Sequence, residues 1–251
     1  MNQQQIFIII KHTSMKQPKA TVYTIQQYML AAGMAFAFLQ FGILIFVGSS
    51  LLPLLGPPDT PAAQRFIAFA TYADRFKLGN YLMTLPVPFF LLFLGGLLFR
   101  FRNIDPSYKS ILATTVFSGV AFIMIWPMGA IVSSIGLDIA VAGGDKVTAG
   151  VFDSIAPYSL GLSSVPKSVF LFTLCMLITE YKWLSRTGFL LALLSFAGSL
   201  VIANGNFFIP CMLGNLLSLI WIFCFSLKMY RIEKTMLVHS IIHNRHSEKL
   251  Q

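Results

Sequence analysis

Long apolar stretches separated by short polar segments make up most of this chain. The apolar stretches lie at 28–52, 79–99, 111–136, 159–179, 187–206 and 208–227. Each is close to the roughly 20 residues that an α-helix needs to cross the hydrocarbon core of a bilayer. They are continuous rather than alternating, which favours helices over the strands of a transmembrane barrel. The pattern predicts an all-α polytopic membrane protein, a bundle of six transmembrane helices.

These stretches also divide the chain into three parts. We predict a cytoplasmic N-terminal tail (1–27), a six-helix transmembrane domain (28–227) and a basic cytoplasmic C-terminal tail (228–251). The first span is too long for a cleaved signal peptide and should remain as a signal anchor. Met15, which precedes a lysine, is a plausible alternative start.

Two segments between spans predict short helices at the outer interface. Thr60 followed by Pro61 is typical of a helix start, because a hydroxyl caps the first turn and proline fits its first position. Apolar residues then recur at helical spacing at Phe66, Phe69, Ala70, Ala73 and Phe76. This spacing indicates an amphipathic helix leading into the second span. After the glycines at 143 and 144, a second short helix is expected over 146–157.

Composition and charge support membrane residence and give an orientation. The chain is 56% hydrophobic and 11% charged, whereas soluble domains carry about 25% charged residues. Thirteen of the 18 Lys and Arg residues lie in the tails and alternate loops on one side. This bias predicts that both termini are cytoplasmic. The net charge of +9 therefore indicates contact with anionic lipid rather than with nucleic acid.

The distribution of histidines and carboxylates argues against several enzyme classes. The four histidines, His12, His239, His243 and His246, lie in the tails, so no span supplies an imidazole for a metal or haem. None of the six apolar stretches contains Asp or Glu, which disfavours a carboxylate proton relay. We predict no cofactor, no metal and no catalytic residue. The last three histidines could share one helical face and bind a metal, but an incidental role is favoured.

Lys167 is the ionisable residue well inside a span. A charge there costs about 2.5–3.5 kcal/mol on insertion scales, so its ammonium should either reach the outer interface or face a polar cavity. Its flexible stem favours the first of these interpretations. With other polar residues of similar depth it forms a possible ligand vestibule: Lys167, Arg75, Lys77, Asp74, Asp153 and Asn80. The alternative, scattered interfacial anchors, is favoured over the vestibule.

Three short segments resemble a broad group of bacterial multi-pass membrane proteins that share a domain of unknown function. They are the outer loop Gly56-Pro57-Pro58-Asp59-Thr60-Pro61-Ala62-Ala63, the entry Lys77-Leu78-Gly79 to the second span, and Leu184-Ser185-Arg186-Thr187-Gly188-Phe189. In the last segment Ser185 replaces the usual proline of that group. The group has no established chemistry, so the resemblance implies topology and a bacterial inner-membrane location only.

The function that these observations favour is non-enzymatic. We expect binding or passage of a small or lipidic molecule from the outer side, or support of a partner membrane protein. The alternative is a membrane enzyme acting on lipid at the outer leaflet. A third possibility is a subunit with a purely structural role. A close-packed bundle without an outward cavity would favour this subunit, and a deep lateral opening beside Lys167 would favour binding or lipid chemistry.

Overall fold

The computed structural model describes residues 20–55, 62–204 and 208–248, and this part of the chain is helical without strands. The α-helices are α1 (Ala20–Phe46), α2 (Ala62–Thr71), α3 (Ala73–Leu82), α4 (Val87–Arg100), α5 (Lys109–Ile125), α6 (Met128–Val141), α7 (Lys146–Leu177), α8 (Lys182–Ser199) and α9 (Phe208–Glu248). A π-helical turn (Val47–Leu51) and a 3-10 turn (Leu52–Leu55) extend α1. Further 3-10 turns lie at Pro106–Tyr108 and Leu200–Ile202.

Six helical segments are long and apolar enough to cross a membrane. They are Thr24–Leu55, Ala73–Arg100, Pro106–Val141, Tyr158–Leu177, Lys182–Ile202 and Ile209–Thr235. Large apolar side chains such as Phe38 and Phe117 are exposed on their outer faces, where lipid would cover them. The prediction of an all-α, six-span integral membrane protein is confirmed.

The six spans contact one another in the order of the sequence and close into a ring. Helix α1 packs against α4, and α4 packs against α5. Helices α5 and α6 both pack against α7, and α7 packs against α8. Helix α9 contacts α8 on one side and α1 on the other. The short connections after the second and fourth spans make the spans that they join antiparallel neighbours. The contact between the first and last spans closes the bundle and shields its centre from lipid.

An aromatic cluster fills the centre of this ring. Phe90 of α4 is fully buried, and its ring centroid lies 4.7 Å from that of Phe36, 5.4 Å from Phe122 and 5.5 Å from Phe170. These four residues come from four different spans. Tilted and edge-on aromatic contacts at these distances are favourable, so the cluster holds the first four spans together.

The predicted amphipathic outer segment consists of two helices, α2 and α3, which meet at Tyr72. Its apolar residues Phe69 and Phe76 pack against each other and against Leu51, Leu55 and Leu137. The apolar face therefore covers the ends of spans one and three. The predicted cap at residues 60 and 61 lies outside the described residues. The helix predicted over 146–157 is present as backbone but continues without interruption into the fourth span as α7.

Two spans are interrupted at prolines. The second span turns at 83–86 between α3 and α4, and the third turns at Trp126 and Pro127 between α5 and α6. Proline lacks the N–H that would continue the helical ladder, and its ring crowds the preceding turn. Pro166, in contrast, lies within the continuous helix α7. Helices α3 and α6 contact each other, as do helices α4 and α5.

Candidate binding site around Lys167

Lys167 lies in the middle of the fourth span and its side chain is turned into the bundle. It is 1% exposed, and its Nζ donates a hydrogen bond to Oδ1 of Asn215 on α9. The expectation that the ammonium reaches the outer interface is wrong. An amide oxygen at the same depth on a facing helix accepts the hydrogen bond, so the lysine is solvated inside the protein instead of at the surface.

The inner face of α9 supplies the polar surroundings of this ammonium. Cys211, Asn215 and Ser218 follow one another at spacings of four and three, which places them on one side of the helix. The Nδ2 of Asn215 donates to the Sγ of Cys211 over 3.7 Å. The Ser164 hydroxyl of α7 lies 3.8 Å from the same sulfur. A polar contact between α7 and α9 thus crosses the interior.

A cavity of about 10 Å³ lies beside Lys167. The residues that line it are all buried and come from α1, α5, α7, α9 and the turn that follows α5: Phe36, Gln40, Phe122, Trp126, Lys167, Asn215, Ser218, Leu219 and Ile222. Among these described residues none carries a carboxylate. The volume corresponds to about one water molecule.

Two further polar groups line this cavity without a hydrogen-bond partner among the described residues. They are the Oε1 of Gln40 and the indole Nε1 of Trp126. Both side chains are more than nine-tenths buried. A buried donor or acceptor without a partner costs about 1–3 kcal/mol, so these two residues have unused hydrogen-bonding capacity.

Both helix interruptions touch the site. Gln40 donates through Nε2 to the Sδ of Met83, 3.7 Å away, in the turn that interrupts the second span. Trp126 itself forms the interruption of the third span with Pro127. Irregular backbone at membrane depth is tolerated where it lies inside protein or lines a cavity. In transporters, interrupted helices commonly border the substrate site near the midplane.

The site combines two hydrogen-bond donor groups, the Lys167 ammonium and the Trp126 indole, and no acid lies among the described residues that line the cavity. The volume of the cavity corresponds to one water-sized group.

The other described residues of the predicted vestibule do not lie at the Lys167 cavity. Lys77 forms an ion pair with Asp138 of α6 at 2.5 Å, and the Nδ2 of Asn80 donates to the Ser134 hydroxyl of α6 at 3.0 Å. These two contacts join α3 of the second span to α6 of the third. Asn80 and Lys77 do not line the Lys167 cavity.

The remaining vestibule residues do not line that cavity either. Arg75 and Asp74 are exposed, and the Arg75 guanidinium lies 5.6 Å from the centroid of the Tyr72 ring. The side chain of Asp153 is outside the described part of the chain. A ligand held jointly by all six residues stays a prediction.

Glu233 is a buried carboxylate that the sequence analysis missed. It is 1% exposed within the candidate span Ile209–Thr235, and its Oε1 lies 3.2 Å from the Nε of Arg100. The expectation that no span contains a buried carboxylate is wrong, because α9 continues well beyond the apolar stretch that ends at 227. In the sequence, Glu233 follows Ser226 by seven residues, which places the two on one face of a continuing helix. Both residues are buried in the structure.

Gln40 and Asn215 were also overlooked, although both are amides within apolar stretches. In a span, an amide has the same need for an internal partner as a charge has. The side chains of His239, His243 and His246 lie outside the described residues. In the described part of the chain, no three His, Cys, Asp or Glu residues are grouped to hold a metal ion.

No protein-family model, curated protein or solved structure matches this chain.

Proposed function

We propose that this protein binds a small molecule bearing a carboxylate or phosphate group at Lys167 and passes it across the membrane. The observation that carries the proposal is a fully buried ammonium whose described hydrogen-bond partner is neutral. Membrane-buried charges are rare because they cost several kcal/mol, and they commonly mark substrate or ion pathways. A ligand anion supplies the missing negative charge.

The interrupted spans provide the movement that passage requires. The outer halves α3 and α6 are tied to each other by the contacts of Lys77 and Asn80, and they pack with α2 around their own apolar cluster. They can swing as a unit about the turns at 83–86 and 126–127. Such a swing widens the cavity on the outer side while α4 and α5 stay packed on the inner side.

Orientation and location follow from the charge bias and the resemblance. The protein resides in a bacterial inner membrane with both termini in the cytoplasm, so α3 and α6 face outward. The outer half-helices then admit the ligand from the external side.

The proposal is tested by ligand-dependent stabilisation of the purified protein in nanodiscs. The probes are acetate, lactate, succinate and inorganic phosphate, with glucose as an uncharged control. We expect at least one anion to raise the melting temperature of the wild type, because ligand at 100 times its Kd stabilises by about 2.7 kcal/mol. Lys167→Met should abolish the rise, and Lys167→Arg should keep part of it.

Lys109→Met is the matched control, since Lys109 is an exposed cation outside the cavity. It should respond to the same anion as the wild type does. An equal response in Lys167→Met would contradict the proposal. Uptake of the stabilising anion into proteoliposomes then separates passage from binding alone.

A second candidate function is support of a partner membrane protein. The small volume beside Lys167, about 10 Å³, favours it, because a close-packed bundle suits a rigid subunit. Under this function no anion stabilises the wild type, and Lys167 contributes only to packing. The same stabilisation experiment therefore distinguishes the two candidates.

A further inference from the structure

A second, larger cavity lies at the end of the bundle that carries Arg100 and Lys109. It is a groove of about 660 Å³ between the turn that precedes α8, the first turn of α8 and the late part of α9. This groove is separate from the Lys167 cavity, with which it shares no lining residue. We call it the basic groove.

Three cations line the basic groove: Lys182 at the start of α8, and Lys228 and Arg231 on α9. All three are exposed, and the described lining residues include no acid. The nearby acids do not cancel this charge within the groove. Glu180 points from the preceding turn without lining it, and Glu233 is buried against Arg100.

Tyr181 adds an aromatic ring to the lining of the basic groove. The Nζ of Lys228 lies 5.8 Å from the centroid of its ring. Burial raises the pKa of the Tyr181 hydroxyl, and the nearby Arg100, which hydrogen-bonds to it, opposes this shift. A raised pKa keeps the phenol neutral at physiological pH, so it adds a hydrogen-bonding group without a competing negative charge.

The lining of the groove also includes apolar side chains. Cys224, Leu227 and Ile232 of α9 are half-buried there. Trp183 of α8, which is 67% exposed, also lines the groove. Tryptophan is enriched where hydrocarbon meets head groups. The groove thus combines three cations with apolar side chains.

We propose that the basic groove binds one anionic phospholipid from the leaflet at this end of the bundle. Lys182, Lys228 and Arg231 hold its phosphate, and an acyl chain lies along Cys224 and Leu227. The charge complementarity selects an anionic head group, and the adjoining apolar side chains select a lipid over a soluble phosphate. This inference does not depend on the proposed function of Lys167.

The test is native mass spectrometry of the whole protein with phosphatidylglycerol, with phosphatidylcholine of the same chains, and with inorganic phosphate as competitor. We expect selective retention of one phosphatidylglycerol by the wild type. The triple variant Lys182→Gln, Lys228→Gln, Arg231→Gln should bind it on the order of 100-fold more weakly, since each basic residue near an anionic head group contributes about a factor of five.

The matched control removes three exposed cations outside the groove, Arg102→Gln, Lys109→Gln and Arg186→Gln, and should retain the lipid. Equal weakening in both triple variants would overturn the proposal, because the attraction would then be a property of the whole surface. Displacement of the lipid by millimolar phosphate, or equal retention of phosphatidylcholine, would also overturn it. The wild-type selectivity needs no variant, so a folding defect in the triple variant leaves the proposal testable.

Discussion

Lys167 and Glu233 are both about 1% exposed, yet the structure accommodates their charges in opposite ways. Glu233 faces the Arg100 guanidinium at the end of the bundle, with 3.2 Å between the nearest charged atoms. Lys167 lies in the middle of its span and donates to a neutral amide. One charge has a counter-charge supplied by the protein, and the other has none among the residues that line its cavity.

The two sites differ in what each buried charge contributes to the fold. The Arg100–Glu233 pair ties the second span to the sixth, and Arg100 remains 28% exposed, so part of its charge stays solvated. Such a pair fixes how two helices meet. The Lys167 ammonium makes no ion pair with the described residues that line its cavity, and its burial lowers the stability of the folded protein. Under the proposed function, a ligand anion supplies the counter-charge that this cation lacks.

The largest effect is expected from removing the cation of the paired site. Arg100→Met leaves the Glu233 carboxylate buried without its partner, and breaking a buried pair in this way costs about 3–5 kcal/mol. The measurement is the unfolding free energy in mixed micelles as the fraction of denaturing detergent is increased. Arg100→Met combined with Glu233→Met should recover most of the loss, because no unpaired charge remains. A double variant as unstable as the single one would show that the pair is not what stabilises this contact.

The unpaired site should respond with the opposite sign. Lys167→Met removes a charge that costs about 2.5–3.5 kcal/mol at the centre of a span. It also leaves the Asn215 oxygen without its donor, which costs about 1–3 kcal/mol. We expect a net gain on the order of 1 kcal/mol in the same unfolding measurement.

Adding Asn215→Leu to Lys167→Met should raise the stability further, because the unsatisfied amide is then removed as well. A loss of stability in Lys167→Met would make the lysine a structural element. The absence of a counter-charge at Lys167 would then give no support to ligand binding.

The sequence was sufficient for the membrane class and the number of spans because both depend on one-dimensional properties. Continuous apolar length decides whether a helix crosses a bilayer. The interruptions of spans do not follow from the sequence in the same way, because two spans turn at Pro86 and Pro127 whereas α7 continues through Pro166. Whether a proline interrupts a helix depends on its packing partners, which the sequence does not state.

The candidate site could be found only in part. Lys167 stood out as a charge within an apolar stretch, but the direction of its side chain depends on Asn215, 48 residues later on a facing helix. Glu233 was missed because it follows the last apolar stretch, while the helix and its burial continue. Both errors arise because a polar residue in a span is placed by its partner on another helix, and pairings between distant helices are not encoded in local hydropathy.

The smallest effect is expected at the exposed ion pair between Lys77 and Asp138, which can be compared directly with the buried carboxylate of the Arg100–Glu233 pair. Its side chains are 39% and 66% exposed and its charged atoms are 2.5 Å apart, closer than those of Arg100 and Glu233. If distance governed the energy, this pair would be the stronger of the two. Exposed pairs nevertheless contribute about 0–1 kcal/mol, because water solvates each charge in the unpaired state. Lys77→Met should therefore lower the unfolding free energy by less than about 1 kcal/mol, and high salt should reduce even that difference. A loss as large as that of Arg100→Met would mean that burial does not set the strength of charge pairs in this bundle. The burial of Lys167 would then be no reason to propose that it binds a ligand.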